Sequence, residues 1–147
     1  TNKVKNFKEY VTNYDDADGM DTISYSKTDI SFSPALIAGT QFIVSPVKNL
    51  QITLSGKYVG KQYLDNTSNN NRSLNSFFTS DLLINYNLQF KGIKNLGFNL
   101  MINNLFNTQY VSNGYTWGYV YGGERIIENF YFPQSGTNIL AGINLKF

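Results

Sequence analysis

The chain has 147 residues, a formal net charge of +2, and neither cysteine nor histidine. This length is enough for one domain with its own core. Without cysteine or histidine the chain can form no disulfide, no zinc site with thiolate or imidazole ligands and no Ser-His-Asp triad. The lysines and arginines are scattered and the charge is mild, so nothing indicates nucleic-acid binding. No run of about 18 apolar residues predicts a transmembrane helix.

Six segments alternate apolar and polar residues with a period of two, which predicts half-buried β-strands. In "LQITLSGKY", for example, Leu50, Ile52 and Leu54 share one face, and polar residues stand between them. The alternation is weakest in the first segment. The predicted strands are residues 3–11, 36–44, 50–58, 82–90, 96–103 and 139–147. Aromatic residues, which favour strands, make up 16% of the chain, so we predict an all-β fold.

The connections between these strands alternate between short and long. "SPVKN" (45–49) and "KGIKN" (91–95) are short, whereas the polar segments 12–27, 61–76 and 107–136 are long. Transmembrane β-barrels have this arrangement, with short periplasmic turns and long external loops. A soluble β-sandwich is the competing prediction, but it does not sort its connections in this way. The pattern therefore predicts an antiparallel transmembrane β-barrel in the bacterial outer membrane, with the C-terminus on the periplasmic side.

Six strands are too few for a closed bacterial barrel, which has an even number of strands from 8 upward. An open sheet edge in lipid would leave backbone groups unpaired, at a cost of several kcal/mol each. We therefore interpret residues 1–147 as about six C-terminal strands of a larger barrel. One chain of a multi-chain barrel is the alternative.

Four segments carry a resemblance to a known family: "SFSPALIAGTQF", "YVGKQYLDNT", "NNLFNTQY" and "YFPQSGTNILAGINLKF". In this order they resemble the C-terminal barrel of a TonB-dependent outer-membrane receptor of the Bacteroidetes type. The resemblance implies a 22-stranded barrel whose plug domain, TonB box and remaining strands are not in this chain. It also implies active transport of a scarce nutrient, such as an iron chelate, cobalamin, a glycan or a peptide. No enzymatic activity is expected, because the residues offer no catalytic set.

The end of the chain resembles the assembly signal of such barrels. Gly142, Leu145 and Phe147 match a Gly-x-x-apolar-x-aromatic pattern, whereas Leu140 departs from it because a polar residue is usual there. The resemblance implies four partners: outer-membrane lipid, the insertion machinery through the last strand, the TonB system through the missing N-terminal part, and a surface lipoprotein lid. Two other functions stay open. One is a barrel fragment that acts as an assembly substrate or as a structural chain of a multi-chain complex, and the other is a small complete barrel with a passive or enzymatic function.

The last long connection holds a candidate ligand-binding segment, "YTWGYVYGGERIIENFYF". On a β-ribbon with a tight turn at Gly122–Gly123, four alternate rings would share one face. Such a face suits sugars, planar chelates or peptides, and Arg125 could pair with an anionic group. Alternatively, the rings pack against neighbouring loops and only stabilise the ribbon. The four rings are those of Tyr115, Trp117, Tyr119 and Tyr121.

A second candidate is the acidic segment "DDADGMD", residues 15–21, which has some features of a calcium loop. Asp16, Asp18 and Asp21 would be the ligands. The glutamate that such a loop requires downstream is absent, because Tyr25 stands at that position. A solvated acidic loop is therefore the favoured interpretation, and we expect no cofactor.

Overall fold

The computed structural model describes residues 3–147, which form eleven β-strands and no helix. No helix in this range could therefore cross a membrane. The residues form two compact units. One, the loop unit, comprises the described part of residues 1–36 with residues 60–76 and 110–134; the other, the sheet unit, comprises residues 37–59, 77–109 and 135–147. The strands are β1 (Lys3–Asn13), β2 (Met20–Asp29), β3 (Ile37–Val44), β4 (Leu50–Val59), β5 (Gln62–Tyr63), β6 (Ser73–Leu74), β7 (Phe77–Phe90), β8 (Ile93–Asn103), β9 (Val111–Tyr121), β10 (Glu124–Pro133) and β11 (Asn138–Lys146).

The sheet unit is one antiparallel sheet with the strand order β11-β8-β7-β4-β3. The second to sixth predicted strands all lie in it. Short turns join β3 to β4 and β7 to β8, as predicted, and long segments connect β4 to β7 and β8 to β11. The connection between β7 and β8 is shorter than predicted, because β8 begins at Ile93 and leaves only Lys91 and Gly92 in the turn.

The strand register places the large apolar side chains of the sheet unit on one face, as the alternation predicts. Directly paired residues share a face. One row of paired residues crosses all five strands: Phe42, Leu54, Leu82, Ile102 and Ile139. The next row consists of Val44, Ile52, Ile84, Leu100 and Ala141.

This apolar face is exposed. Phe42 and Ile139 each keep 64% of their surface accessible, and Ile143 keeps 70%. Monomeric soluble proteins rarely expose contiguous apolar patches of more than a few hundred Å². A face built from complete rows of such residues is therefore unfavourable in contact with water.

The opposite face of the sheet is mostly polar. Gln51, Asn85, Asn99 and Gly142 form one row on it. Asn103 donates a hydrogen bond to Asn138 over 2.8 Å, and Gln41 donates one to Ser55 over 3.2 Å. One row is apolar except for Thr53: Ile43, Thr53, Leu83, Met101 and Leu140. Leu140, the residue that departs from the assembly pattern, therefore lies in line with apolar neighbours on the adjacent strands.

A buried asparagine organises the turn that follows β8. The Asn104 N–H donates to Asp81 over 2.9 Å, and its side chain both donates to the Thr108 carbonyl and accepts from the Thr108 N–H, each over 2.9 Å. Its φ of 51° lies in the left-handed region, which asparagine tolerates better than most residues. Asn104 belongs to the segment "NNLFNTQY", so these contacts explain why that segment needs an asparagine at this position.

The loop unit contains a second sheet, with the strand order β10-β9-β1-β2. It also contains a short antiparallel pair, β5 and β6, in which each strand has two residues. β1 and β9 run parallel where Thr12 pairs with Tyr119, and the other pairs in this sheet are antiparallel. Its buried apolar residues are few, namely Val11, Leu64 and Leu74. Polar contacts must therefore contribute much of the stability of this unit.

Two expectations for the N-terminal part were wrong. Residues 12–27, predicted as a loop, contain most of β2, which pairs with β1 along its length. The first predicted strand exists as β1, but it belongs to the loop unit and not to the sheet with the other five. β2 was missed because it has few large apolar residues, namely Met20, Ile23 and Tyr25. Pairing with β1 stabilises it instead, and this pairing includes a contact between the Phe7 and Tyr25 rings, whose centroids are 6.1 Å apart.

Candidate functional site

The last long connection does form a β-ribbon. β9 and β10 pair antiparallel from Tyr121 and Glu124 outward, and Gly122 and Gly123 make the turn. Their φ angles are 64° and 76°. Two-residue hairpin turns of this kind need positive φ at both positions, which only glycine adopts without strain. The prediction of a tight Gly122–Gly123 turn is confirmed.

The four predicted rings lie on one face of this ribbon. The Tyr115 ring stacks on Phe130 with centroids 4.7 Å apart, and the Trp117 and Tyr119 rings are 4.9 Å apart. Tyr14, from the segment after β1, meets Tyr119 edge-on at 5.7 Å. An open groove of about 530 Å³, here called the aromatic groove, is lined by Tyr14, Trp117, Tyr119, Tyr121 and Glu128. Both expected roles of the rings are therefore compatible with the structure, since they pack together and remain accessible.

Arg125 is not on the aromatic face. It pairs with Val120, which places it on the opposite face of the ribbon, and its guanidinium binds the carboxylate of Glu9. The structure therefore does not place Arg125 where it could pair with an anionic ligand bound at the rings. The charged side chain that lines the groove is Glu128, directly across from Trp117.

Glu9 is the centre of an ion-pair cluster that joins three segments of the loop unit. One of its oxygens accepts from Arg72 over 2.5 Å and from Arg125, and the other accepts from the Tyr25 hydroxyl over 2.8 Å. Arg72 also donates to Asp65 over 2.7 Å. We call Glu9, Tyr25, Asp65, Arg72 and Arg125 the Glu9 cluster.

The electrostatics of the cluster favour its charged state. Burial raises the pKa of Glu9, but hydrogen bonds from Arg125, Arg72 and Tyr25 outweigh it, so the pKa is lowered from its ordinary value. Burial also opposes the charge of Arg72, which is 3% exposed, yet its bonds to Glu9 and Asp65 raise its pKa. Paired and hydrogen-bonded charges of this kind can remain buried at neutral pH.

Glycine on the inner face of the ribbon makes room for this cluster. A Cβ atom at Gly118 would lie 2.8 Å from the guanidinium of Arg72 and 3.1 Å from the Ile126 carbonyl oxygen. At Gly114 it would lie 2.5 Å from the Phe130 carbonyl oxygen and 3.3 Å from a methyl group of Leu64. β9 therefore has two different faces: small residues point toward the interior of the loop unit, and aromatic rings point away from it.

The acidic segment 15–21 serves a structural purpose. The Asp15 carboxylate accepts from the N–H of Gly122 over 2.9 Å and from that of Gly123 over 2.8 Å. The hydrogen bond from Gly123 has the larger effect and that from Gly122 the smaller, and together they lower the pKa of Asp15. Asp21 accepts from the Asn13 side chain over 3.1 Å, and the Asp16 side chain accepts from the Asp18 N–H over 3.4 Å. Within residues 3–147 no group of three acidic side chains is arranged to hold a metal ion.

The residues of the predicted assembly signal lie in or directly after β11. Gly142 pairs with Asn99 and Leu145 with Leu96, both on β8. β11 is an edge strand of its sheet, and Phe147 is 74% exposed. An edge strand presents a row of unpaired backbone groups to a further strand. The assembly role of these residues remains a prediction.

Sequence reasoning missed Glu9, Asp65 and Arg72, and it gave Asp15 no role of its own within the acidic segment. Glu9 is 63 residues from Arg72 and 116 from Arg125, so no local pattern joins them. One compositional signal was available. The chain has only two arginines, Arg72 and Arg125, among twelve basic residues, and both bind Glu9. Arginine is preferred over lysine for buried ion pairs because its planar group donates several hydrogen bonds.

Comparison with known proteins gives one distant relative. No family model matches the chain. Over 92 residues, 62% of its length, the chain is 32% identical to the ferrichrome outer membrane transporter/phage receptor of Escherichia coli (strain K12). The match spans 12% of that protein, so the chain corresponds to a small part of it. The relative is a transporter and receptor of the outer membrane, in agreement with the predicted class of protein. The comparison does not bear on the Bacteroidetes type.

We expect Glu9→Gln to destabilise the loop unit by about 1–3 kcal/mol, because Arg72 and Arg125 lose a charged acceptor inside the unit. Glu124→Gln is the matched control, since Glu124 is exposed on the neighbouring ribbon and should change stability by less than about 0.5 kcal/mol. Hydrogen exchange of the β1 and β10 amides measures the difference. Equal exchange in both variants would contradict a stabilising role for the cluster.

We expect the Asp15 contact with the β9–β10 turn to depend on pH. A lowered pKa means that the contact stabilises the loop unit at pH values above 3.8, the ordinary pKa of the carboxyl, and that this contribution is lost as the pH falls through the lowered value. Asp15→Asn should therefore accelerate proteolysis at the ribbon tip at neutral pH. Asp18→Asn, in the same segment, is the control. Unchanged cleavage in the Asp15 variant would argue that the contact contributes nothing.

Proposed function

We propose that this chain forms part of the wall and external loops of a TonB-dependent outer-membrane transporter. The sheet unit supplies five transmembrane strands near the C-terminus of a larger barrel, for which the resemblance implies 22 strands. The plug domain and the remaining strands belong to other parts of the polypeptide. Transport would be driven by the TonB system acting on the plug.

The observation that carries this proposal is the exposed apolar face of the sheet unit. Every strand contributes to it, and the opposite face carries most of the asparagine and glutamine of these strands. A barrel wall has this division, with an apolar surface toward lipid and a polar surface toward the lumen or plug. A soluble sandwich would instead bury the apolar face against a second sheet.

The edges of the sheet support a larger barrel. β3 and β11 are the edge strands, and their free backbone groups would be unpaired in lipid. Further strands must therefore pair with both edges. Pairing of β11 with the insertion machinery before closure would give Gly142, Leu145 and Phe147 the proposed role of an assembly signal.

The long connections would lie outside the cell and the short turns in the periplasm, as in other outer-membrane barrels. The ribbon with Tyr115, Trp117, Tyr119 and Tyr121 is then available to a nutrient that reaches the cell surface. The resemblance leaves an iron chelate, cobalamin, a glycan and a peptide as nutrient classes. It also implies a surface lipoprotein lid as a partner.

The mass of the polypeptide that contains this chain separates the single-chain transporter from its alternative. The intact, denatured protein should be extracted from the outer membrane and measured by mass spectrometry. We expect a mass several times 16.7 kDa, because a closed barrel and a plug need many more residues. A mature mass near 16.7 kDa would contradict the single-chain transporter and favour a structural chain of a multi-chain complex.

Adjacent residues at the middle of β7 test which face meets lipid. Ile84→Lys should destabilise the barrel in bilayers by about 2–4 kcal/mol, because its side chain lies on the apolar face. Asn85→Lys puts the same charge on the polar face and should have an effect of less than about 1 kcal/mol. Heat-modifiable gel mobility gives the folded fraction, and reversible unfolding in bilayers gives the free energy. A larger penalty at Asn85 than at Ile84 would reverse the proposed orientation.

A further inference from the structure

The charges around the aromatic groove favour one class of ligand. The ribbon face that carries the rings also carries Glu128, whose strand partner is Trp117 and which lines the groove. β9 and β10 contain one basic residue, Arg125, and it lies on the other face, bound to Glu9. The groove therefore combines electron-rich rings with negative charge, and its own strands supply no cation to balance it.

The rings contact one another, so a ligand in the groove would lie against their exposed surfaces and not between them. The Trp117 plane is tilted by 38° to that of Tyr119, and the Tyr14 plane stands at 74° to it. Tyr14, Trp117 and Tyr121 keep 59%, 47% and 63% of their surface exposed, so ring surface is accessible from the groove. Cations, including quaternary ammonium ions, are attracted to the faces of Trp and Tyr rings within about 6 Å of the centroid.

We propose that the aromatic groove binds an organic ammonium group. Tyr14, Trp117, Tyr119 and Tyr121 supply the ring faces, and the carboxylate of Glu128 supplies the opposite charge. The groove would select against anionic ligands, because Glu128 would repel them and Arg125 is held away by Glu9. Since the groove meets an external ligand only if the ribbon is exposed at the cell surface, this cation site rests on the proposed function.

Choline and its neutral isostere dimethylbutanol test the proposal, because they differ in the charge of the trimethyl-substituted centre. Both are titrated into the outer-membrane protein that contains this chain, solubilised in detergent, and followed by ligand-observed NMR. We expect choline to bind about tenfold more tightly, the ratio that corresponds to a cation–π contribution between exposed and desolvated sites. Equal affinities would overturn the proposal, as would binding of a neutral oligosaccharide with no binding of choline.

Matched variants assign the effect to the groove. Glu128→Gln should weaken choline binding about fivefold and leave the isostere unchanged, whereas Glu124→Gln, on the same face but outside the groove, should change neither. Trp117→Leu should weaken choline binding at least as much as Glu128→Gln. An unchanged choline affinity in Glu128→Gln would overturn the assignment. Heat-modifiable mobility of every variant confirms a folded barrel, so loss of choline binding in an inserted barrel is distinguishable from failure of the proposed function itself.

Discussion

The apolar face of the sheet unit is the constraint on which the rest of the structure depends. Burial of apolar surface contributes about 25 cal/mol per Å², so rows of exposed aliphatic and aromatic residues are unfavourable in water. A bilayer removes that cost but admits no unpaired backbone groups, which allows only helices and closed barrels to span it. In the proposed barrel, full-length pairing of the five strands and the alternation of their faces meet these two requirements.

The loop unit is stabilised mainly by polar contacts and not by an apolar face. Its connections are long, its buried apolar residues are few, and its backbone must still hold an ordered shape. Glu9 provides this order by accepting hydrogen bonds from both arginines and from Tyr25, which fixes β1, β2, β10 and the segment before β6 together. Asp15 does the same at the ribbon tip through two backbone N–H groups. Charge-assisted hydrogen bonds of this kind fix geometry as well as adding stability.

These internal contacts also leave the aromatic face of the ribbon free. Arg125 is engaged by Glu9, Gly118 accommodates Arg72, and the turn is held by Asp15, so the inner face and the tip are both occupied. The rings of β9 then point away from the interior of the unit. The division between a polar, tightly bonded inner face and an accessible aromatic outer face is what makes the groove a candidate binding site.

The parts of the fold that could be predicted from the sequence are those that local rules determine. The face of each residue in β3, β4, β7, β8 and β11 follows from the period of two, and the turn at Gly122–Gly123 follows from its glycines. That turn also determines the face of Arg125, because a two-residue turn pairs Tyr121 with Glu124 and puts the next residue on the opposite side. The contacts of Glu9 with the two arginines and of Asp15 with the turn could not be predicted, since they join residues 63 to 116 positions apart. β2 was missed because its strand pairing, not its own apolar content, stabilises it.

A cysteine scan along residues 82–90 tests the central claim most directly. The chain has no cysteine of its own, so single cysteines introduced along it can each carry a fluorophore once any cysteine elsewhere in the protein is replaced. In bilayers, a lipid-soluble quencher should act at 82, 84, 86, 88 and 90, and a water-soluble quencher should act preferentially at the positions between them. Quenching by the water-soluble reagent at every position, or the opposite alternation, would contradict a barrel wall whose apolar face meets lipid.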